Sequence, residues 1–256
     1  MRSVAILLLS LGSLTGPVRA QPGAPLIPSP DVSFSITIPI NNPDGVVHIT
    51  PRQWAEMGAV ALTGAGHIAF TASDASAYFI PLAIGGWGGY VGYRAATESD
   101  FLRNAGFTSE NLGPAFRDAS ILAGAATAGM LVIGAANGNL RFDVDMLPLL
   151  VLYPAWGITQ QFLVQGLITR RLAEAGLSPV AVTPISAAAF GSVHVPDWKL
   201  TAATAGLGAA YAALYQKHGN LWPLGLYHGV LGAEFYVWVL GRNPWQELLG
   251  NEEPLE

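Results

Sequence analysis

WGITQQFLVQGLITRR, residues Trp156–Arg171, places three glutamines in an otherwise continuous apolar run from Leu147 to Ile168. A run of this length must be helical if it lies in lipid, because a helix satisfies its backbone hydrogen bonds internally. Buried amide side chains need hydrogen-bond partners, so we expect the glutamines to face other helices or a polar cavity. Gln161 and Gln165 lie one helical turn apart and therefore share a face.

The composition is typical of an integral membrane protein. Of the 256 residues, 51% are hydrophobic and 11% are charged, whereas about a quarter of the residues in soluble domains are charged. The mean hydropathy is +0.40. A net charge of −5 without any basic stripe argues against a nucleic-acid partner. Because the chain has no cysteine, disulfides, thiolate metal sites and a cysteine nucleophile are excluded.

The N-terminal region predicts export followed by a short segment outside the membrane. Residues 1–20 contain an arginine, a short apolar stretch and a final Val-Arg-Ala, which together predict a cleaved signal peptide. An uncleaved anchor is the alternative, although the apolar stretch is shorter than the ~20 residues that a span requires. Within the non-membrane segment 21–50, two alternating stretches flank an Asn-Asn-Pro-Asp-Gly turn and predict a β-hairpin.

The rest of the chain predicts an all-α, polytopic membrane protein. Thr50 followed by Pro51 is typical of a helix start, and the glycines from Gly85 to Gly89 favour close helix contact in a membrane. Helices are predicted at 51–72, 75–93, 118–136, 146–174, 179–195, 200–215 and 221–240. We interpret 51–140 as peripheral membrane helices, 145–245 as a four-helix membrane core and 246–256 as a tail.

Two histidines lie well inside later apolar runs, and we expect them to be the partners of the glutamines. These are His194 and His228. For His194, near a helix end, a merely hydrogen-bonded interfacial histidine is the alternative. His67 is assigned no role, and His218 is expected to face solvent. Tryptophans near predicted helix ends are expected at the boundary between water and lipid, namely Trp198, Trp222 and Trp238.

Three local patterns carry a resemblance to a known family. They are Gln160-Gln161-Phe-Leu-Val-Gln165, then Phe190-Gly-Ser-Val-His194, then Asn220-Leu-Trp-Pro leading to His228 and Gly232. In order and spacing they resemble the CAAX-processing and bacteriocin-processing (CPBP) intramembrane proteases, also called the abortive-infection family. That family carries Glu-Glu-x-x-x-Arg, Phe-x-x-x-His and His-x-x-x-Asn or His-x-x-x-Asp, with a Gly-Asn-Leu-Trp-x-Pro type of lead-in before the last motif.

The departures from the family pattern affect the motif positions that carry out the family's reaction. Gln160 and Gln161 stand at the paired glutamate positions, Gln165 at the arginine position, and Gly232 at the Asn/Asp position. The resemblance implies that the first motif and His194 activate a water, and that the last motif stabilises an oxyanion. An amide cannot act as a general base at neutral pH. Replacing the two acids and the base together avoids an uncompensated charge in the membrane.

The resemblance implies an intramembrane endopeptidase of the CAAX type that hydrolyses a membrane-associated peptide or protein. In this interpretation His194 is the base, His228 is the oxyanion donor and the glutamines position water. The supporting residues are Phe190, Tyr227 and Gly232. The alternative is a catalytically inactive membrane scaffold or peptide-binding protein that keeps the same cavity. No metal and no cofactor are expected, since two histidines with amides make a weak metal site. The expected location is the bacterial inner membrane, with the lipid bilayer as a partner.

Overall fold

The computed structural model describes residues 35–36, 47–73, 75–142, 144, 146–244 and 246. The predicted signal peptide at 1–20 lies outside the described residues, as do most of the segment 21–50 and nearly all of the tail 246–256. The first described element is an antiparallel pair of two-residue strands, β1 (Ser35–Ile36) and β2 (Val47–His48), with Ser35 opposite His48. Residues 37–46 are not described, so the hairpin that would join these strands stays a prediction.

Apart from this pair, the secondary-structure elements of the described chain are all helical, as the sequence predicts. The helices are α1 (Pro51–Ala72), α2 (Ser76–Thr97), α3 (Phe101–Asn104), α4 (Leu112–Asn137), α5 (Met146–Gln161), a π-helical segment (Phe162–Thr169), α6 (Arg170–Glu174), α7 (Pro179–Ser192), α8 (Trp198–His218), α9 (Trp222–Glu234) and a second π-helical segment (Phe235–Val239).

Helix starts follow the local sequence where a capping residue is present. Thr50 accepts a hydrogen bond from the backbone N–H of Gln53, whose side chain bonds back to Thr50 and closes a capping box. The Asp197 side chain accepts a hydrogen bond from the N–H of Leu200 and caps α8, so α8 begins two residues earlier than predicted. Helix α4 begins six residues before the predicted start, because Asn111 turns the chain in a left-handed conformation, at φ 53°, directly before Leu112.

Two continuous helices are long and apolar enough to cross a bilayer, Leu112–Asn137 and Met146–Glu174. The outer surfaces of several helices also carry large apolar side chains, which is the pattern that lipid contact requires. These include Leu62, Leu82, Ile121, Val132, Val151 and Val180. Trp198 and Trp222 are exposed, whereas Trp238 is buried and donates to the carbonyl of Arg141. Trp238 is therefore a core residue rather than a boundary anchor.

The closest helix contact joins α5 to α9 and depends on glycine. A Cβ on Gly229 would lie 2.3 Å from the backbone nitrogen of Pro154, and one on Gly225 would lie 2.6 Å from a side-chain carbon of Ile158. On the other helix, a Cβ on Gly157 would lie 2.6 Å from the carbonyl oxygen of Gly225. Small residues let helix backbones approach closely inside membranes. This contact places His228 directly beside α5, with its Cδ2 3.1 Å from the Cβ position of Gly157.

The predicted helix contact through the glycines of α2 is not found. A Cβ at Gly85, Gly86, Gly88 or Gly89 would meet no atom within 4 Å in the described part of the chain. Gly86 lines an open groove of about 860 Å³ between α1 and α2. Phe79, Trp87 and Tyr90 are among the side chains that line it. No glutamine or histidine of the candidate site lines this groove.

A buried cluster of charges holds α1 and α2 to the end of the long helix. The Glu56 carboxylate accepts from Arg94 at 2.5 Å and from Arg171 at 2.7 Å, and it also accepts from the Tyr90 hydroxyl. Arg171 additionally pairs with Glu174 at 2.8 Å. Glu56, Arg94 and Arg171 are all buried. Such ions are stable in a protein interior only when each is paired and hydrogen-bonded, and here each is.

Candidate functional site

Two of the glutamines are fully buried at the point where the long helix changes its geometry. Gln161 is the last residue of α5 and Gln165 lies in the π-helical segment, and neither exposes any surface. A π-helical segment is rare and is frequently found at functional sites. Thr169 ends the segment, and it is also fully buried. Gln161, Gln165 and Thr169 are spaced four residues apart, and neighbouring side chains in this series are hydrogen-bonded to each other.

These side chains form a directional chain of hydrogen bonds. Thr169 donates its only proton to the amide oxygen of Gln165 at 2.7 Å. The Ser186 hydroxyl lies 2.7 Å from the Thr169 hydroxyl and donates to the backbone carbonyl of Val182 at 2.9 Å. The Gln165 amide nitrogen donates to the oxygen of Gln161 at 3.3 Å, and the Gln161 nitrogen lies 3.3 Å from Nδ1 of His228. From Thr169 onward, every bond thus runs toward His228, and hydrogen bonds in such a chain polarise one another.

The end of this chain determines the tautomer of His228. In the orientation that the Gln161 amide has here, its nitrogen faces Nδ1 of His228 and donates to it, so Nδ1 carries no proton. In a neutral imidazole the proton then lies on Nε2. His228 is buried, and it presents an N–H group rather than a lone pair to whatever faces Nε2.

His194 has the opposite tautomer. Its Nδ1 lies 3.0 Å from the carbonyl oxygen of Phe190, and a carbonyl only accepts, so Nδ1 carries the proton. The Thr204 hydroxyl lies 3.2 Å from the same nitrogen and gives its own proton to the carbonyl of Leu200 at 2.7 Å. Thr204 is therefore a second acceptor for the Nδ1 proton. A neutral His194 keeps a free lone pair on Nε2, which is the form that can remove a proton.

Phe190 lies between the two histidines and sets their spacing. Its ring is fully buried, and it contacts His194 at a centroid distance of 5.5 Å and His228 at 5.1 Å, both edge-on. Close packing keeps Phe190 in place, since a Cβ on Gly208 of the next helix would lie 3.1 Å from its side chain. The Phe-x-x-x-His pattern therefore places one aromatic ring against both imidazoles.

Other residues expected at the site have different surroundings. Gln160 is half-buried, and its side chain makes no hydrogen bond within the described residues. The Tyr227 hydroxyl bonds to Ser120 of α4 at 2.6 Å. Tyr227 therefore lies on a different face of α9 from His228, which contacts Gln161. Gly232 does not leave an open space, because the Tyr153 ring lies 3.3 Å from where its Cβ would be. The three glutamines and two histidines therefore do not form a single hydrogen-bonded cluster. Gln161, Gln165 and His228 are joined, whereas Gln160 and His194 are not part of that chain.

The lead-in to α9 has a structural role that explains its residues. The Asn220 amide donates to the carbonyls of Thr108 and Glu110 at 2.8 and 2.9 Å, and its oxygen accepts from the N–H of Trp222. Asn220 thus connects the loop before α4 to the start of α9. Leu221 is bonded to the same loop through the carbonyl of Gly106 at 2.8 Å. These bonds hold the first turn of the helix that carries His228.

Four residues near the site were not expected from the sequence: Thr169, Ser186, Thr204 and His67. Thr169 continues the four-residue spacing of the glutamines, so that signal was available in the sequence. The other three come from different helices, and no local pattern marks them. Within the described residues, no group of three or more His, Cys, Asp or Glu side chains is arranged to hold a metal ion.

Comparison with known proteins gives one match. Residues 143–233 match the family model described as type II CAAX prenyl endopeptidase Rce1-like. The match covers α5 to α9 as far as Ala233 and includes the glutamine motif, the Phe-x-x-x-His motif and the His228 helix. No curated protein and no solved structure matches the chain.

Proposed function

Because residues 143–233 match the model of the type II CAAX prenyl endopeptidase family, which is the CPBP family, we propose that this protein hydrolyses a peptide bond in a membrane-associated peptide or protein. The proposed location is the bacterial inner membrane, since the family is one of membrane proteins and two helices are suited to span a bilayer. The observation that carries the proposal is the pair of opposite histidine tautomers, one with a free lone pair and one with a free N–H.

The two tautomers suit the two halves of peptide hydrolysis. Nε2 of His194 removes a proton from water as the water oxygen bonds to the carbonyl carbon, and the carbonyl π electrons move to its oxygen. The Nε2–H of His228 donates to that oxyanion. The His194 imidazolium then returns its proton to the departing amine nitrogen as the C–N bond breaks. A positioned base contributes roughly 10²–10⁴-fold to such a reaction, and one oxyanion donor contributes about 10²–10³-fold.

The amides take the place of acids as positioning groups. Gln161 holds the imidazole of His228 in the donor tautomer, and Gln165 and Thr169 hold Gln161. Gln160, half-buried and without a hydrogen bond in the described chain, is the glutamine that remains free to contact water or substrate.

The test is cleavage of membrane peptides by the purified protein and by His194→Ala. A farnesylated peptide ending in Cys-aliphatic-aliphatic-X and a set of unmodified membrane-spanning peptides serve as substrates. We expect His194→Ala to lower the rate by about 10²-fold or more, because it removes the base. His48→Ala is the matched control, since His48 is exposed and lies in β2 before the first helix. Equal cleavage by His194→Ala and the parent would contradict the proposal.

A second candidate function, a binding protein without catalysis, is favoured by one observation. The hydrogen-bonded chain that ends at His228 consists only of amides and hydroxyls and contains no carboxylate. Binding of the same peptides by the parent, with no cleavage of any of them, would support this candidate over the endopeptidase.

A further inference from the structure

His67 of α1 lies in an aromatic setting in which one of its nitrogens has no hydrogen-bond partner. Its ring packs against Phe79 at a centroid distance of 5.4 Å and against Trp156 at 6.5 Å. Nδ1 of His67 is buried and makes no hydrogen bond within the described part of the chain. A buried polar atom without a partner costs about 1–3 kcal/mol, so such an atom in a native fold calls for an explanation.

The same ring lies beside His194. The two imidazole centroids are 6.4 Å apart and the rings are inclined at 71°. A water that donates one hydrogen bond of ordinary length to a nitrogen of each ring would separate the centroids by roughly 6–7 Å. The observed spacing therefore suits one shared water and is too long for a direct bond between the rings.

The backbone of α1 is packed so that His67 reaches this position. Gly64, one turn earlier on the same face, has no side chain where Val193 approaches, and a Cβ there would lie 2.8 Å from Cγ1 of Val193. Val193 directly precedes His194. The missing side chain at Gly64 thus brings α1 against the turn that carries the proposed base. Both Gly64 and His67 lie outside the region 143–233 that matches the family.

We propose that His67 is the third histidine of the site and that it holds the attacking water together with His194. This inference rests on the proposed function. Water donates one hydrogen to Nε2 of His194 and the other to Nδ1 of His67, and this directs an oxygen lone pair away from both rings toward the substrate carbonyl. The hydrogen bonded to His194 is the one transferred during attack. The hydrogen bonded to His67 stays on the oxygen, so His67 orients the nucleophile and gains no proton.

The test compares His67→Phe with His67→Asn. Phenylalanine keeps the aromatic packing on Phe79 and Trp156 but has no acceptor, whereas the asparagine oxygen can accept where Nδ1 does. We expect His67→Phe to lower kcat by about 10- to 100-fold with KM nearly unchanged, because the water loses its orientation. His67→Asn should recover most of that rate. A structural role alone would give the reverse order, with the aromatic replacement the more active.

A second measurement separates this inference from the proposed function. The imidazole ¹⁵N resonances of His194 are recorded in detergent for the parent and for both variants. If the two rings share a water, the Nε2 resonance of His194 shifts in His67→Phe and returns toward the parent position in His67→Asn. If the parent is inactive but shows this pattern, the proposed endopeptidase activity is refuted, and the water shared by His67 and His194 is supported. An active parent whose rate and His194 resonance are the same in His67→Phe would refute the role of His67 alone.

Discussion

Gln161 is the residue on which the arrangement of the site most depends. Its oxygen accepts from Gln165, its nitrogen donates to His228, and it has no exposed surface. Its neighbour Gln160 has the same side chain but is half-buried and makes no hydrogen bond in the described chain. Two chemically identical adjacent residues therefore have very different surroundings, because the helix turns one of them into the bundle.

This difference gives a paired prediction at the residue scale. Gln161→Leu leaves a donor of Gln165 and Nδ1 of His228 buried without partners, and it should lower the free energy of unfolding by about 1–3 kcal/mol. Gln160→Leu, the matched control, should change it by less than about 0.5 kcal/mol. Denaturant titration of the two variants in detergent measures both values. Equal losses would mean that the hydrogen-bonded chain does not stabilise the fold.

The sequence indicated part of this site and missed the rest for a physical reason. Helical spacing predicts that Gln161 and Gln165 share a face, and the cost of burying an amide predicts that they have partners. The tautomers of His194 and His228 depend on which atom approaches each nitrogen, which spacing does not determine. His67 reaches His194 only through the packing of α1, and the sequence offered no reason to pair two histidines that are 127 positions apart.

At the scale of elements, the contact between α5 and α9 depends on the absence of side chains. Pro154 has no N–H group, and Gly229 has no Cβ, so the two backbones meet where neither projects an atom. Composition predicted close packing for the glycines of α2 instead, and within the described chain that prediction is wrong. Composition shows where small residues occur, but it does not show which of them face a neighbouring helix.

A matched pair of alanine substitutions tests this contact. Gly229→Ala places a carbon 2.3 Å from the backbone nitrogen of Pro154, so the helices must separate, at an expected cost of about 3 kcal/mol. Gly85→Ala adds the same atom to a helix where nothing lies within 4 Å, and it should leave stability unchanged or slightly raised. Thermal unfolding in detergent compares the two. A tolerated Gly229→Ala would contradict the close contact of α5 with α9.

At the scale of the whole molecule, the buried charges connect parts of the chain that the family match separates. Glu56 and Arg94 lie before residue 143, and Arg171 lies inside the matched region. The rim of the same cluster is exposed, with Arg52 2.7 Å from Glu98 and Glu98 also paired with Arg94. The N-terminal helices are therefore bound to the matched region by ion pairs as well as by apolar contacts.

This cluster predicts a pH dependence of stability. Burial raises the pKa of the Glu56 carboxyl, but hydrogen bonds from Tyr90, Arg171 and Arg94 outweigh it, and the pKa in the folded protein is below the ordinary 4.5. Hydrogen bonds from Arg94 likewise lower the pKa of Glu98. A carboxyl with a lowered pKa stabilises the fold above its unfolded pKa. Stability should therefore be constant near neutral pH and fall as the pH drops below 4.5 through the folded pKa.

Glu56→Gln isolates the contribution of the central carboxylate. It leaves Arg94 and Arg171 buried with less negative charge, so it should cost about 3–5 kcal/mol at neutral pH. The loss of stability below pH 4.5 should also become shallower in this variant. Asp100→Asn, which breaks an exposed pair with Arg103, should change little. If Glu56→Gln changed neither the stability at neutral pH nor the loss of stability below pH 4.5, the buried cluster would not stabilise the protein.

The arrangement of these charges also bears on how the chain enters the membrane during translation. Glu56 and Arg94 leave the ribosome first and already form a neutral pair, so α1 and α2 can meet without presenting a bare ion to lipid. Arg171 follows much later, and its partner Glu174 is only three residues behind it. Glu56 with Arg94, and Arg171 with Glu174, are thus two neutral pairs. Arg171 reaches Glu56 only when the long helix arrives. Once Arg94 has emerged, no ion of this cluster would then have to wait for a more distant part of the chain before it gains a partner.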